Sequence, residues 1–113
     1  MKYLTLWRPA KEPTGAPSQE EMAAMGTLIE QLTKEGVLVA TDGLQSSAKG
    51  AIVRQTNGKI TVTDGPFAET KELVAGYAIF NVKSKEQIIE LAKRFLKVVG
   101  QDGASEIRQM YEG

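Results

Sequence analysis

The stretch AIVRQTNGKITVTDGPFAETKELVAGYAIFNV, residues 51–82, decides the architecture of this chain. It begins with two runs of alternating apolar and polar residues joined by Asn57-Gly58, the dipeptide most typical of a two-residue type I′ hairpin turn. A third apolar run, residues 74–82, follows a charged segment that contains a proline. The stretch therefore predicts a β-hairpin and then a further strand.

The sequence on either side of the hairpin has the pattern strand, helix, strand. Ser18 and Glu21 are spaced as a helix capping box, Ser84 and Gln87 repeat that spacing, and Gly36 is suited to end the first helix. The predicted elements are a strand over 2–8, a helix over 18–36, a buried strand over 37–41, and, beyond the hairpin, a strand over 74–82, a helix over 84–100 and a strand over 105–112. This order predicts an α+β fold, a ferredoxin-like split βαβ sandwich with an inserted β-hairpin.

Length and composition limit the possible functions. A chain of 113 residues is expected to form a single domain, residues 1–113. Fourteen basic residues balance fourteen acidic ones, which argues against nucleic-acid binding because a basic face is needed to neutralise phosphates. The N-terminus lacks a signal-peptide pattern and no apolar run has transmembrane length, so we expect a cytoplasmic protein without a membrane partner.

The residue types that are missing narrow the chemistry. There is no cysteine and no histidine, so thiolate nucleophiles, disulfides, imidazole bases and the commonest zinc ligands are excluded. Neither a P-loop nor a dinucleotide-binding glycine motif occurs. We therefore expect no metal site and no cofactor, and any catalysis would use carboxylates, Lys, Arg, Tyr or hydroxyls.

Three aromatic residues suggest a second subunit. Trp7, Tyr77 and Tyr111 fall on alternating positions of the predicted strands. The helices of such a fold cover one face of its sheet, so an apolar second face requires another cover. We expect a homodimer in which two sheets stack, although the same aromatics could belong to the core of a monomer.

The segment Asp64-Gly65-Pro66-Phe67 has two interpretations. As a simple turn, Gly65 supplies a positive φ, Pro66 ends strand pairing and the Asp64 carboxylate accepts backbone N–H groups as an Asx turn. As part of a site, Asp64 is a carboxylate near an apolar sheet face, where its pKa can rise and it can act as acid or base. The residues alone favour the turn.

Other charged residues are weaker candidates. Asp42-Gly43 repeats the Asp-Gly pair after an earlier strand, so the two loops either flank one pocket or form independent turns. Arg8, Arg54 and Arg108 lie in or at the ends of predicted strands, where each could bind a carboxylate or phosphate or form a surface ion pair.

Four pieces of the sequence resemble the DGPF-domain branch of the YCII-related family, and together they extend over essentially the whole chain. They are the Gly-Leu of DGLQ (42–45), the block TDGPFAETKE (63–72), AGY (75–77) and EIRQ (106–109). The resemblance implies the dimeric α/β-barrel type of ferredoxin-like fold, usually a homodimer, with a pocket between sheet and helices near the dimer interface. It also implies either a cofactor-free enzyme, such as a lyase that eliminates chloride from a chlorinated hydroxyquinol, or a regulatory or stress role beside sigma-factor genes.

The chain departs from the family in one respect. The family is associated with a catalytic His–Asp pair, whose aspartate corresponds to Asp64, while this sequence has no histidine. Chemistry would have to use Asp64 with Arg54 or a tyrosine; otherwise the protein only binds a ligand.

We therefore expect a homodimer that binds a small molecule in a pocket rimmed by the DGPF loop, as a binding protein or as a cofactor-free lyase or isomerase. The alternative is a non-catalytic regulatory or interaction subunit. The candidate catalytic residue is Asp64, and the candidate ligand-binding residues are Arg54, Phe67, Glu69, Lys71, Tyr77 and Arg108.

Overall fold

The computed structural model describes residues 1–112, which contain two α-helices and six β-strands. In chain order these are β1 (Lys2–Pro9), α1 (Gln19–Lys34), β2 (Leu38–Gly43), β3 (Ala51–Thr56), β4 (Lys59–Asp64), β5 (Gly76–Asn81), α2 (Lys85–Val99) and β6 (Gly103–Gln109). Short 3₁₀ helices follow β2 and β4, at Ser47–Lys49 and Thr70–Glu72.

Four strands form an antiparallel sheet in the order β2-β5-β1-β6. The central strand β1 pairs with β5 through Tyr3 and Phe80 and with β6 through Thr5 and Ile107. The first and second βαβ units thus interleave, which is the strand order of a ferredoxin-like fold. The predicted fold class is confirmed.

The inserted hairpin forms a sheet of its own, in which β3 pairs only with β4 within the described residues. Asn57 and Gly58 have φ values of 52° and 78°. Two consecutive positive φ values are what a type I′ turn requires, and this turn matches the right-handed twist of the strands.

A serine hydroxyl caps the start of each helix, and a glycine follows the end of α1. The Ser18 hydroxyl accepts a hydrogen bond from the Glu21 amide, and the Ser84 hydroxyl accepts one from the Gln87 amide, each at 3.1 Å. Gly36 follows the end of α1 with a φ of 75°. These contacts satisfy helix-end groups that have no partner within the helix.

The hydrophobic core lies between one face of the four-stranded sheet and both helices. Tyr3 and Phe80 project from the sheet onto Leu28 of α1 and Ile88 of α2, the latter fully buried. The strand β2, predicted as buried, is an edge strand with a bulge at Val39, whose side chain is exposed. The apolar run from 37 to 41 did not distinguish an edge from a central position.

The three aromatics from which a second subunit was predicted do not lie on one sheet face. Trp7 faces the helices and packs edge-on against Phe95, with ring centroids 5.6 Å apart. Tyr77 lies on the opposite face, because it pairs with Leu6 rather than Trp7. Tyr111 follows the end of β6 and is fully exposed.

We call the sheet face opposite the helices the open face. The side chains that strand register places on it include Leu4, Leu6, Tyr77, Ile79, Glu106 and Arg108. Leu4, Leu6, Tyr77 and Ile79 are half-buried, although neither helix of the described chain packs there. Among residues 1–112, no helix has both the length and the apolar character needed to cross a bilayer.

Candidate functional site

A cleft of about 610 Å³ lies between the hairpin, the end of β1 and the segment that follows the DGPF turn. It is a groove that is largely open to solvent, although its volume lies within the range of small-molecule sites, about 300–1,000 Å³. The lining residues are Arg8, Ile52, Arg54, Glu69, Lys71, Glu72 and Val74. The resemblance implied a pocket between sheet and helices; core side chains fill that space here, and the cleft lies beside the hairpin.

Strand alternation explains which hairpin residues reach the cleft. Ile52 and Arg54 are two positions apart on β3 and share a face. Val53, Ile60 and Val62 occupy the other face, and each is more than 60% exposed. One face of the hairpin therefore lines the cleft, and its apolar reverse face contacts solvent.

The charged side chains at the cleft are paired. Arg54 Nη2 lies 3.3 Å from Glu72 Oε2, and Lys71 Nζ lies 3.0 Å from Glu69 Oε2. With Arg8, three cations and two carboxylates of the described residues line the cleft. The balance is an excess of one positive charge beside the apolar side chains of Ile52 and Val74.

Arg8 is the most firmly held of these cations. Its Nε donates to Glu106 Oε1 at 3.0 Å, and its Nη1 donates to the carbonyls of Lys71 at 2.9 Å and Leu73 at 3.3 Å. Arg108 Nη1 also donates to Glu106, at 3.2 Å. Hydrogen bonds from Arg8 and then Arg108 lower the pKa of the Glu106 carboxyl. Arg8 thus joins the open face to the cleft wall.

The DGPF turn is held by contacts that the sequence did not predict. The φ of Gly65 is not positive. Glycine is required there because a Cβ would lie 1.6 Å from the Ser47 carbonyl oxygen. The Gly65 amide donates to the Gly50 carbonyl at 2.9 Å, and the Phe67 amide donates to the Ser47 hydroxyl at 3.0 Å. Ser47 and Gly50 hold this turn in place of the Asx turn expected from Asp64.

Asp64 is the last residue of β4 and is exposed. It pairs with Ala51, so its side chain lies with Ile60 and Val62 on the reverse face of the hairpin. Among the residues that the structure describes, it does not line the cleft and forms no side-chain hydrogen bond.

Tyr77 and Asp42 are brought together at the end of the open face. The Tyr77 hydroxyl donates to Asp42 Oδ2 at 3.0 Å. This hydrogen bond, together with the nearby negative charge, raises the pKa of the Tyr77 phenol. The two Asp-Gly pairs therefore have different structural roles: Asp42 accepts a hydrogen bond from Tyr77, and Asp64 is the last residue of the hairpin.

Three of the predicted ligand-binding residues, Arg54, Glu69 and Lys71, line one cleft. Tyr77 and Arg108 lie on the open face, and Phe67 is half-buried in the DGPF turn. The candidate list omitted Arg8, Ile52, Glu72 and Val74. The period of two along β3 would have placed Ile52 beside Arg54, whereas the position of Arg8 depends on tertiary contacts.

These features define the chain as a ferredoxin-like α+β protein with an inserted hairpin and a charged cleft at the hairpin base. A family model for the YCII-related domain matches residues 1–112, so the chain belongs to the YCII-related family. An uncharacterized protein of Rhizobium meliloti (strain 1021) is 27% identical over 114 residues, covering 97% of this chain and 92% of that protein. The predicted family resemblance is confirmed.

A solved structure shares the fold at low sequence identity. It is 5-chloro-2-hydroxyhydroquinone dehydrochlorinase from Burkholderia phenoliruptrix AC1100, in complex with 2,5-dihydroxybenzoquinone. The alignment has a TM-score of 0.52 at 10% identity and covers 100% of this chain and 96% of the other. At this identity the likeness concerns the fold.

Proposed function

We propose that this protein is a homodimer that binds a small organic molecule in the cleft at the base of the hairpin. The cleft carries the proposal: it has the volume of a ligand site, apolar side chains from Ile52 and Val74, and cations from three separate segments. Specific sites commonly combine an apolar wall with a few orienting polar groups.

Two surfaces support the dimer. The open face holds Leu6 and Ile79 away from both helices, and the reverse face of the hairpin exposes Val53 and Val62. The radius of gyration is 15.5 Å, against about 13 Å for a compact chain of this length. A second copy stacked on the open face would bury apolar side chains that the monomer leaves half-covered.

The charge balance favours an anionic ligand. Arg guanidinium groups bind carboxylates and phosphates through paired N–H donors, and Arg8 of β1 and Arg54 of β3 both line the cleft. The dehydrochlorinase with the same fold is complexed with 2,5-dihydroxybenzoquinone, a planar compound whose enolic hydroxyls ionise readily. A small planar oxyanion is therefore the ligand class that we assign to the cleft.

In the catalytic version of this proposal the protein is a cofactor-free lyase or isomerase. Asp64 would take up and return a proton, while Arg54 or Arg108 would stabilise the oxyanion of the substrate. Because the Asp64 side chain lies on the reverse face of the hairpin, it could reach a ligand only through the dimer, from the hairpin of the second copy.

That orientation of Asp64 also favours the alternative function. A reverse face formed by Val53, Ile60 and Val62, with Asp64 at its end, is suited to contact a protein. On this second proposal the chain is a non-catalytic regulatory or interaction subunit. The cytoplasmic location and the absence of a nucleic-acid partner stay predictions from the sequence.

Calorimetric titration with 2,5-dihydroxybenzoquinone as the probe tests the binding proposal. We expect saturable binding to the wild-type protein, at least tenfold weaker binding to Arg54→Ala, and unchanged binding to Lys59→Ala, a control on the same hairpin outside the cleft. Equal affinity for wild type and Arg54→Ala would exclude the cleft as the probe site.

An assay of halogenated hydroxyquinol conversion, run beside the titration, separates a binding protein from a lyase or isomerase. If Asp64 accepts the proton removed from the substrate, Asp64→Asn should bind the probe but convert no halogenated hydroxyquinol. If the wild-type protein binds neither probe nor hydroxyquinol, the interaction-subunit proposal replaces the first.

A further inference from the structure

A carboxylate that does not line the cleft is hydrogen-bonded to the loop that holds the DGPF turn. Glu12 lies in the loop between β1 and α1, and it accepts three hydrogen bonds from residues 34 and 35 positions away. Ser46 Oγ donates to Oε1 at 3.0 Å, Ser47 Oγ donates to Oε2 at 2.8 Å, and the Ser47 amide donates to Oε1. The hydroxyl and the amide of Ser47 lower the pKa of the Glu12 carboxyl.

These bonds determine the direction of the Ser47 hydroxyl. A serine hydroxyl has one proton to donate and two lone pairs with which to accept. Because the proton is directed to Glu12 Oε2, the oxygen presents its lone pairs to the Phe67 amide, 3.0 Å away. Glu12, Ser47 and Phe67 therefore form a relay across three loops.

The same serine is in close contact with the turn on a second side. The Ser47 carbonyl occupies the space that a Cβ on Gly65 would need, and the Gly65 amide donates to the Gly50 carbonyl. The turn containing Gly65 and Phe67 is thus positioned by the segment 46–50, which is itself bound by Glu12.

We propose that ionised Glu12 is a positioning residue for the DGPF turn and, through it, for the cleft wall at Glu69–Glu72. The part concerning the cleft rests on the proposed function; the part concerning the turn does not. Glu12→Gln is the sharpest probe, because its amide oxygen can still accept the Ser47 N–H while its NH₂ group cannot accept the hydroxyl proton. The side chain keeps its size and loses only the contact that orients Ser47.

Amide hydrogen exchange measured by NMR without ligand tests the relay. In Glu12→Gln and in Ser47→Ala, exchange at the Phe67 amide should accelerate about tenfold, as expected when a hydrogen bond within a charge-assisted relay is lost. The double variant should exchange no faster than Ser47→Ala alone, since both changes break one relay. Glu20→Gln, an exposed carboxylate at the start of α1, is the matched control and should exchange as wild type does.

The core reports whether each variant remains folded. Exchange at the Tyr3 and Ile88 amides should stay at the wild-type rate, which would confine the effect to the turn. The relay is wrong if Phe67 exchange in Glu12→Gln equals that of wild type while Ser47→Ala accelerates it. It is also wrong if the effects of the two variants on Phe67 multiply, because independent sites behave in that way.

Titration with 2,5-dihydroxybenzoquinone then tests the consequence for the cleft. If wild type binds the probe, Glu12→Gln should weaken binding several-fold, and unchanged affinity alongside faster Phe67 exchange would overturn the positioning of the cleft wall. If wild type does not bind the probe, the proposed function fails, and the exchange result still decides whether Glu12 positions the turn.

Discussion

At the scale of single residues, Gly65 shows how a family motif can depend on a close backbone approach. The sequence suggested a glycine needed for positive φ, whereas the structure gives it a neighbour, the Ser47 carbonyl, in the position of a Cβ. Ser47 is 18 residues earlier in the chain, and no local pattern predicts that contact. The sequence correctly indicated that this position needs glycine, but the cause is a tertiary contact and not the local backbone conformation.

Gly65→Ala should destabilise the fold. The added methyl group would overlap backbone atoms of Ser47, which cannot rotate away, and overpacking of this kind costs about 1–3 kcal/mol. Urea denaturation followed by circular dichroism measures the change.

Gly26→Ala is the matched control for that substitution. Gly26 lies within α1 and a Cβ there would meet nothing within 4 Å, so alanine should stabilise the protein by about 0.5–1 kcal/mol. A Gly65→Ala protein with the same free energy of unfolding as wild type would show that the Ser47 backbone does not approach Gly65 closely.

The phenol of Tyr77 should titrate above the ordinary tyrosine range. Its hydrogen bond to Asp42 stabilises the protonated phenol, so this contribution to stability is present below the unfolded pKa of about 10 and is lost as the pH rises through the folded value. Asp42→Asn should lower the pKa of Tyr77, as measured by NMR of ring-labelled tyrosine. A Tyr77 titration identical in both proteins would exclude Asp42 as the cause.

At the scale of elements, the sequence predicted best what neighbouring residues determine. Ser18, Ser84 and Gly36 marked helix ends, and Asn57-Gly58 marked the hairpin, because caps and turns act over a few positions. The edge position of β2 and the end of β6 before Tyr111 were not predicted, since both depend on which strands pair. Of the cleft, the sequence indicated Arg54, Glu69 and Lys71, and it named Arg8 as a possible anion-binding residue without placing it beside them.

The two helices are joined by an ion pair whose contribution to stability should depend on pH. Arg94 of α2 donates to both carboxylate oxygens of Glu35 after α1, at 3.0 and 2.7 Å, and also to Gln31. The bond from Arg94 lowers the pKa of Glu35, so its contribution to stability is present above the unfolded pKa and is lost as the pH falls through the folded value.

Glu35→Gln should therefore remove part of the acid sensitivity of the fold. The difference in urea midpoint between pH 7 and pH 3 should be smaller in Glu35→Gln than in wild type. Glu30→Gln is the control, because Glu30 pairs only with Lys34 of its own helix among the described contacts. An equal pH effect in Glu35→Gln and wild type would show that the interhelical pair adds no acid-dependent stability.

At the scale of the whole molecule, the proposed dimer would cover apolar surfaces that a monomer leaves exposed. The open face and the reverse face of the hairpin have apolar side chains, and the molecule measures 45 × 38 × 19 Å, which is flat for its length. The aromatics from which the sequence predicted a dimer do not share a face, and the apolar side chains that a second copy would cover are Leu4, Leu6 and Ile79.

Leu6→Glu should shift the protein towards monomer. A carboxylate at position 6 would lie directly opposite Glu106 and would be removed from water when two sheets stack, which is strongly unfavourable. Val39→Glu, on the exposed edge strand, is the matched control and should leave the mass unchanged. A dimer that tolerates Leu6→Glu would place the interface elsewhere.

Multi-angle light scattering on the wild-type protein at micromolar concentration tests the central claim most directly. A homodimer predicts a mass of twice 12.3 kDa, independent of dilution through that range. A mass of 12.3 kDa would contradict the dimer and, with it, any role for Asp64 that depends on a second copy.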